Sequence, residues 1–151
     1  MADVRRLRPG GETVALEMFR MMAEVFAEDD EGGLDGDPLG DDDARSLLRR
    51  EEFWAIVATE GDVVVGGLTA HALPMTRSRS TELFIYDLAV RADRQRRGIG
   101  RALVAELLAR ARDSGIGTAF VPADNEDTHA LEFYRAIGGA PAPVTFFTFS
   151  R

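Results

Sequence analysis

Apolar residues along the chain repeat with two periods, near 3.6 and near two, and each change of period marks an element. From Glu12 to Glu28, "ETVALEMFRMMAEVFAE", residues Val14, Met18, Met21, Met22 and Val25 recur at helical spacing. They predict an amphipathic helix whose methionines fill core space. A short "VRRL" strand precedes it. "DDARSLLRR" reads as a short helix, with acids in its first turn and arginines in its last, as the helix dipole favours. "FWAIVAT" and "VVVGGLTAHAL" flank Glu60-Gly61-Asp62, which predicts a strand, a tight turn and a second strand. "ELFIYDLAV" is apolar almost throughout, the pattern of a central strand buried on both faces. "IGRALVAELLARARDSG" predicts a helix with Ile99, Leu103, Leu107 and Ala111 on one stripe and Gly115 at its C-cap. "TAFVPA" reads as a strand, "EDTHALEFYRAIG" as a helix ending at Gly138, and "VTFFTFS" as a closing strand. Hairpins followed by strand–helix–strand–helix–strand predict an α/β fold with a mixed sheet. Residues Glu82 to Val121 form its right-handed parallel crossover.

Composition narrows the chemistry. The 151 residues fit one domain, 1–151, with a single core. There is no cysteine, which excludes disulfides, zinc–thiolate sites and a cysteine nucleophile. His71 and His129 are the only histidines, too few for a typical histidine-rich metal site, and no metal is expected. All eighteen basic residues are arginine, so no lysine can form a Schiff base or complete a P-loop. The net charge of −8 and a pI near 4.8 argue against nucleic acid and suit a cationic partner. The first residues lack the apolar core of a signal peptide, and no apolar run is long enough for a bilayer. A cytoplasmic protein without membrane contact is the expectation. Trp54 reads as core. The acidic stretch Glu28–Asp43 reads as a loop. It lacks calcium-loop spacing, and a solvated run or a rim that attracts cations are its two readings.

One junction runs against the overall charge. "ADRQRRGIGRALVAEL", from Ala92, sets Arg94, Arg96, Arg97 and Arg101 around a Gly-Ile-Gly turn at a strand-to-helix transition. A helix N-terminus offers unpaired N–H groups and a partial positive charge, and glycine lets a ligand approach the backbone. These are the makings of a phosphate site. The dinucleotide pattern G-x-G-x-x-G fails because Leu103 replaces its third glycine, and the P-loop lysine is absent. On the turn alone, a phosphate site and a glycine turn with solvated arginines both stand.

The surroundings separate them. "Gln95-Arg96-Arg97-Gly98-Ile99-Gly100" resembles the Q/R-x-x-G-x-G/A motif of the GNAT superfamily of N-acetyltransferases, at the same strand-to-helix position. Ala130, Tyr134 and Gly138 match a second family pattern, A-x-x-x-Y-x-x-x-G. The resemblance runs through nearly the whole chain. It implies the GNAT fold, a central mixed sheet flanked by helices, with acetyl-CoA as cosubstrate. The backbone of Leu88, Ala89 and Val90 would pair with the pantetheine arm. Gln95, Arg96, Arg97, Gly98, Ile99, Gly100 and Arg101 would form the pyrophosphate cradle, and Tyr134 would point at the thioester sulfur. Many members carry asparagine seven residues before that tyrosine; here the position is Asp127, and Asn125 is out of register.

Within the superfamily, "ELFIYDLAV", "LLRREEFWAIVA", "VVVGGLTAHALP" and "VPADNEDTHALEFYRAIG" resemble the aminoglycoside (gentamicin) 3-N-acetyltransferases of the AAC(3)-I type. An aminoglycoside is a hydroxylated polycation and needs carboxylates facing a cleft. Asp87 interrupts an apolar strand, where a carboxylate costs free energy unless paired or used. Its neighbours favour use, as the base that deprotonates the amine, with Tyr134 as the acid for the departing thiolate. Glu82, Asp124 and Asp127 are further acceptor contacts, although Glu82 also suits a surface strand end, and one of Asp124, Glu126 and Asp127 is expected to cap the following helix. His71 and His129 read as ordinary polar residues. No nucleophile is evident, so direct transfer in a ternary complex is expected. A transferase for another amine (polyamine, peptide or metabolite) and a non-catalytic CoA-binding regulatory domain are the alternatives. The related acetyltransferases suggest a homodimer.

Overall fold

In the computed structural model, which describes residues 1–29 and 36–151, the chain divides into two compact units, Met1–Val121 and Pro122–Arg151. The first unit is built on a sheet. Strand β1 (Asp3–Arg6) leads into helix α1 (Glu12–Asp29) and α2 (Asp41–Arg49). Then come β2 (Phe53–Glu60), β3 (Val63–Pro74), β4 (Thr81–Val90), α3 (Ile99–Asp113) and β5 (Thr118–Phe120). The sheet order is β1-β2-β3-β4-β5, antiparallel except for the parallel β4–β5 pair. This is the mixed sheet and crossover that the pattern predicts. Among the described residues, no helix is long and apolar enough to cross a membrane.

Two adjacent glycines show how the layers are stacked. A Cβ on Gly67 would run into Met18 and Met22 of α1, and one on Gly66 would meet Ile99 Cγ2 at 2.9 Å and Leu103 Cδ1 at 3.2 Å. Successive strand residues face opposite sides, so α1 and α3 cover opposite faces of the sheet. Met18, Met21 and Met22 are buried with Phe53, Ala55, Val57 and Ala89, as core methionines should be. On the other face Ile99, Leu103, Leu107 and Ala111 are buried, the stripe expected for α3. Gly115 follows the helix at φ +77, and the Ile116 amide donates to the Ala111 carbonyl at 2.8 Å. That closure requires a left-handed residue, which glycine adopts without strain. Trp54 is core, 3% exposed, and the Arg6 guanidinium lies 3.8 Å from its ring centre. Burial, then the charges of Arg8 and Arg110, hold Arg6 down at about 10.

Three expectations change. The long buried runs are β2, from Phe53 to Thr59, and Val64–Ala70 of β3, not β4, in which only Leu83, Ile85 and Ala89 are buried. The outer neighbour of β4, three-residue β5, pairs with only Glu82, Leu83 and Phe84 and leaves the rest of that edge open. The stretch expected as an acidic loop begins inside α1 and ends inside α2, where the Gly40 amide donates to Asp43 Oδ2 at 2.8 Å; residues 30–35 of it lie outside the described residues. In the second unit, helix α4 (Thr128–Ala136) forms as predicted, but "VTFFTFS" is not a strand. Strand composition alone does not supply the partner a ladder needs.

Candidate functional site

At the β3–β4 pairing the register slips: Thr69 faces Asp87, but Ala70 faces Ile85. Tyr86 is the extra residue of a bulge, a device that re-aims side chains. Thr69 and Asp87 share a face with Gly67, hence with α1. The Tyr86 ring sits edge-on to His71 at 5.8 Å and 5.9 Å from Phe84, so it turns to that same face. His71 in turn lies 5.6 Å from Phe53, and Phe84 stands edge-on to Phe120 at 5.0 Å. An aromatic row therefore crosses β2 to β5 beside Asp87. Sequence reasoning missed His71 and Tyr86 as parts of this surface. Their period-two spacing could place His71, but not a bulged Tyr86.

The Asp87 carboxylate is half-buried and makes no hydrogen bond or ion pair with the described residues. Burial raises its pKa, and the charge of His71 only partly opposes that rise. Among the described residues, no arginine or amide holds this carboxylate. Glu82 lies three residues before Ile85, the near flank of the bulge, at the start of β4 and partly exposed.

β5 pairs with β4 only through Glu82, Leu83 and Phe84. Beyond them the β4 edge from Ile85 to Val90 has no strand partner on that side among the described residues. An extended ligand carrying amides can hydrogen-bond to such an edge as an added strand would. Leu88, Ala89 and Val90 lie on this stretch.

The chain then enters a short 3₁₀ turn, Ala92–Arg94, and the arginine-glycine loop. Gln95 Nε2 donates to the Val90 carbonyl at 3.1 Å and ties the loop to the end of β4. The arginines divide into two groups. Arg91 donates to both oxygens of Asp93, at 2.7 and 2.6 Å, and Arg94 pairs with Glu60 and Asp93 at 3.1 Å each. The Arg91 hydrogen bond, more than the nearby charges, holds Asp93 down at about 2. Arg96 and Arg97 are exposed and form no ion pair among the described residues. Arg96 itself has φ +63, the one described non-glycine residue with positive φ, and Gly98 has φ +81. Holding arginine there costs about 1–2 kcal/mol, the kind of strain that collects at ligand sites. Space above Gly98 is open, since a Cβ there would touch nothing within 4 Å. No side chain caps α3, whose first amides follow directly. Positive charge, open space and uncapped amides fit a pyrophosphate.

In the second unit the acids do local work. Asp124 Oδ1 accepts from the Glu126 amide at 2.9 Å, and Asp127 Oδ1 caps α4 by accepting from the Ala130 amide at 3.0 Å. Asp127 is thus the expected cap. Gly138, at φ +101, and the Gly139 amide, which donates to the Tyr134 carbonyl at 2.8 Å, end the helix. Ala130 and Gly138 therefore frame the helix that carries Tyr134. Burial, then the negative charge of Asp127, raise the phenol's pKa.

The model of the acetyltransferase (GNAT) family matches residues 18–138. Amino-acid acetyltransferase of Pseudomonas putida (strain GB-1) is 31% identical over 142 residues, 89% of this chain. The chain spans about a third of the length of that curated relative, 31%. The aminoglycoside acetyltransferase meta-AAC0020, from an uncultured soil metagenomic sample, is 28% identical in its trehalose and sisomicin complexes, with TM-scores of 0.91 and 0.90. The match covers 99% of this chain and 96% of that one. The aminoglycoside acetyltransferase HMB0005, also from soil metagenomic DNA, superposes with a TM-score of 0.86 at 31% identity, covering 100% of this chain and 99% of that one.

Proposed function

Because the chain belongs to the acetyltransferase (GNAT) family, we propose that it transfers the acetyl group of acetyl-CoA to an amine of an aminoglycoside, the 3-amino group of a gentamicin-like drug. The observation that carries this reading is Asp87: a half-buried carboxylate without a partner, its pKa raised, beside an open strand edge. A base that must take a proton from an ammonium-forming amine works best when its pKa moves toward neutrality. The likeness to meta-AAC0020, a protein crystallised with sisomicin, supports the acceptor class.

The chain's residues take these roles. The edge of Leu88, Ala89 and Val90 hydrogen-bonds the pantetheine arm. The loop from Gln95 to Arg101 holds the pyrophosphate, with Arg96 and Arg97 supplying charge. In the transfer a bond forms between the amine nitrogen and the acetyl carbon, and the carbon–sulfur bond breaks. The amine's proton goes to the Asp87 carboxylate, and the Tyr134 phenol gives its proton to the thiolate. Its raised pKa keeps the phenol protonated until that moment. Glu82, Asp124 and Asp127 add negative charge for a polycationic acceptor. Reaction in a ternary complex needs no acetyl-enzyme. Within the reading the protein works in the cytoplasm, where the cosubstrate is found, and without nucleic acid or membrane.

A second reading has one observation in its favour, the 31% identity to an amino-acid acetyltransferase. NMR of the product formed from gentamicin separates the two. Acetylation at the 3-amino group is expected. Acetylation at another amine contradicts the position, and transfer to an amino acid with none to gentamicin favours the second reading.

A further inference from the structure

One arginine stands on the α3 face of the sheet without an acidic partner among the described residues. Arg6 pairs across the ladder with Ile56, while Phe53 and Ala55 pack toward α1. Arg6 and Trp54 therefore share the opposite face, against which α3 packs. The Arg6 guanidinium lies 3.8 Å from the Trp54 ring centre. Its Nε is buried without a hydrogen-bond partner, and the guanidinium makes no ion pair with the described residues. Stacking on an aromatic ring engages the face of a guanidinium but none of its N–H donors.

Two further arginines close on it. The Leu7 amide donates to the Ala55 carbonyl at 2.8 Å, so the strand's alternation continues one step and sets Arg8 on the side of Arg6. Arg8 is exposed and forms no ion pair with the described residues. On α3, Arg110 stands one turn beyond buried Leu107 and beside buried Ala111, and its Nε donates to Glu106 Oε1 at 2.9 Å. Burial, then the charges of Arg8 and Arg110, disfavour the Arg6 cation, and no acidic charge opposes them. In a chain of 26 acids and 18 arginines, three cations around one acid reverse the overall balance.

We infer that Arg6, Arg8 and Arg110 form a binding site for a small multivalent oxyanion, one that carries phosphate or clustered carboxylate groups. The planar fork of arginine matches such oxygens in pairs, and an anion here relieves the mutual repulsion of three cations. The site is separate from the arginine-glycine loop, because Arg110 lies eleven residues along α3 from Ile99, about 16 Å at the helical rise. It is independent of which amine the protein acetylates.

Trp54, the chain's single tryptophan, reports on the site through the Arg6 guanidinium stacked on its ring. Its fluorescence is titrated with sodium pyrophosphate and with sodium citrate, against sodium chloride of matched ionic strength. A saturating change is expected with at least one of the two anions and not with chloride; pyrophosphate alone marks a phosphate ligand, citrate alone a carboxylate one. The Kd should rise at least about tenfold in Arg8→Ala/Arg110→Ala and stay within about twofold in Arg96→Ala/Arg97→Ala, which alters the loop and leaves this site intact. Arg8→Lys/Arg110→Lys keeps the charge without the fork, so its Kd should fall between the two, which covers the case of an alanine variant that misfolds. No saturating response to either anion, or one that Arg8→Ala/Arg110→Ala leaves unchanged, overturns the inference.

Discussion

Gly66 couples the sheet to the proposed cofactor loop, and replacing it with alanine tests that coupling. The added methyl would sit 2.9 Å from Ile99 Cγ2, 3.2 Å from Leu103 Cδ1 and 3.5 Å from Ala58 Cβ. Apolar carbons prefer about 3.5–4.0 Å, so Ile99 must retreat by roughly 0.6 Å or more. Ile99 and Leu103 are 6% and 0% exposed, so neither has room to rotate away. The first turn of α3 must move instead. Overpacking of this kind costs about 1–3 kcal/mol, which for a chain of this size lowers Tm by roughly 2–12 °C. The same movement displaces the amides behind Gly98. Losing one hydrogen bond to a charged phosphate, about 1.5–3 kcal/mol, raises the Kd for CoA roughly ten- to a hundredfold. Thermal melts by circular dichroism read the first effect and calorimetric titration with CoA the second. Gly67→Ala is the control, because its methyl meets α1 on the opposite face. It should lower Tm while leaving CoA affinity nearly intact. Unchanged CoA affinity in Gly66→Ala, or an equal loss in Gly67→Ala, refutes the reasoning.

Asp87→Asn should lower kcat about 10²–10⁴-fold and yet raise Tm at neutral pH. Burial raises the folded-state pKa of Asp87, so its contribution to stability is present below the ordinary carboxylate range and is lost as pH rises through the raised value. The Tm gain of the variant should therefore vanish in acid, and the acid limb of the wild-type kcat/KM profile should lie above the ordinary aspartate range. Tyr134→Phe should lower kcat about 10²–10⁴-fold with the KM for acetyl-CoA little changed, since the phenol is assigned to the departing thiolate; parallel changes in both would count against that role. Arg96→Ala/Arg97→Ala should weaken CoA binding at low salt, and the deficit should shrink toward 1 M salt as the screening length falls from about 10 to about 3 Å.

What the residues reveal before folding follows their physics. The α1 and α3 stripes were legible because one helical face meets one layer, and Met18, Met22, Ile99 and Leu103 all lie where their spacing puts them. The arginine-glycine loop was legible because its glycines and charges are contiguous. Its internal division was not: Arg94 turns to Glu60, 34 residues away, and only tertiary structure brings that acid near. The β4 bulge was likewise hidden, since a one-residue slip depends on the partner strand rather than on the bulged residues. It moves Tyr86 beside His71, while on the other side of β4 the short β5 leaves the edge from Ile85 open. "VTFFTFS" has the composition of a strand in a segment where the described structure forms none, because a strand requires an edge to pair with.

Release of free thiol from acetyl-CoA, followed with sisomicin, gentamicin, glutamate and spermidine in parallel, tests the central claim most directly. The account predicts rapid release with the two aminoglycosides, weak release with the others, and loss of the aminoglycoside signal in Asp87→Asn. Release that favours glutamate or spermidine, or CoA binding without release for any amine, contradicts it.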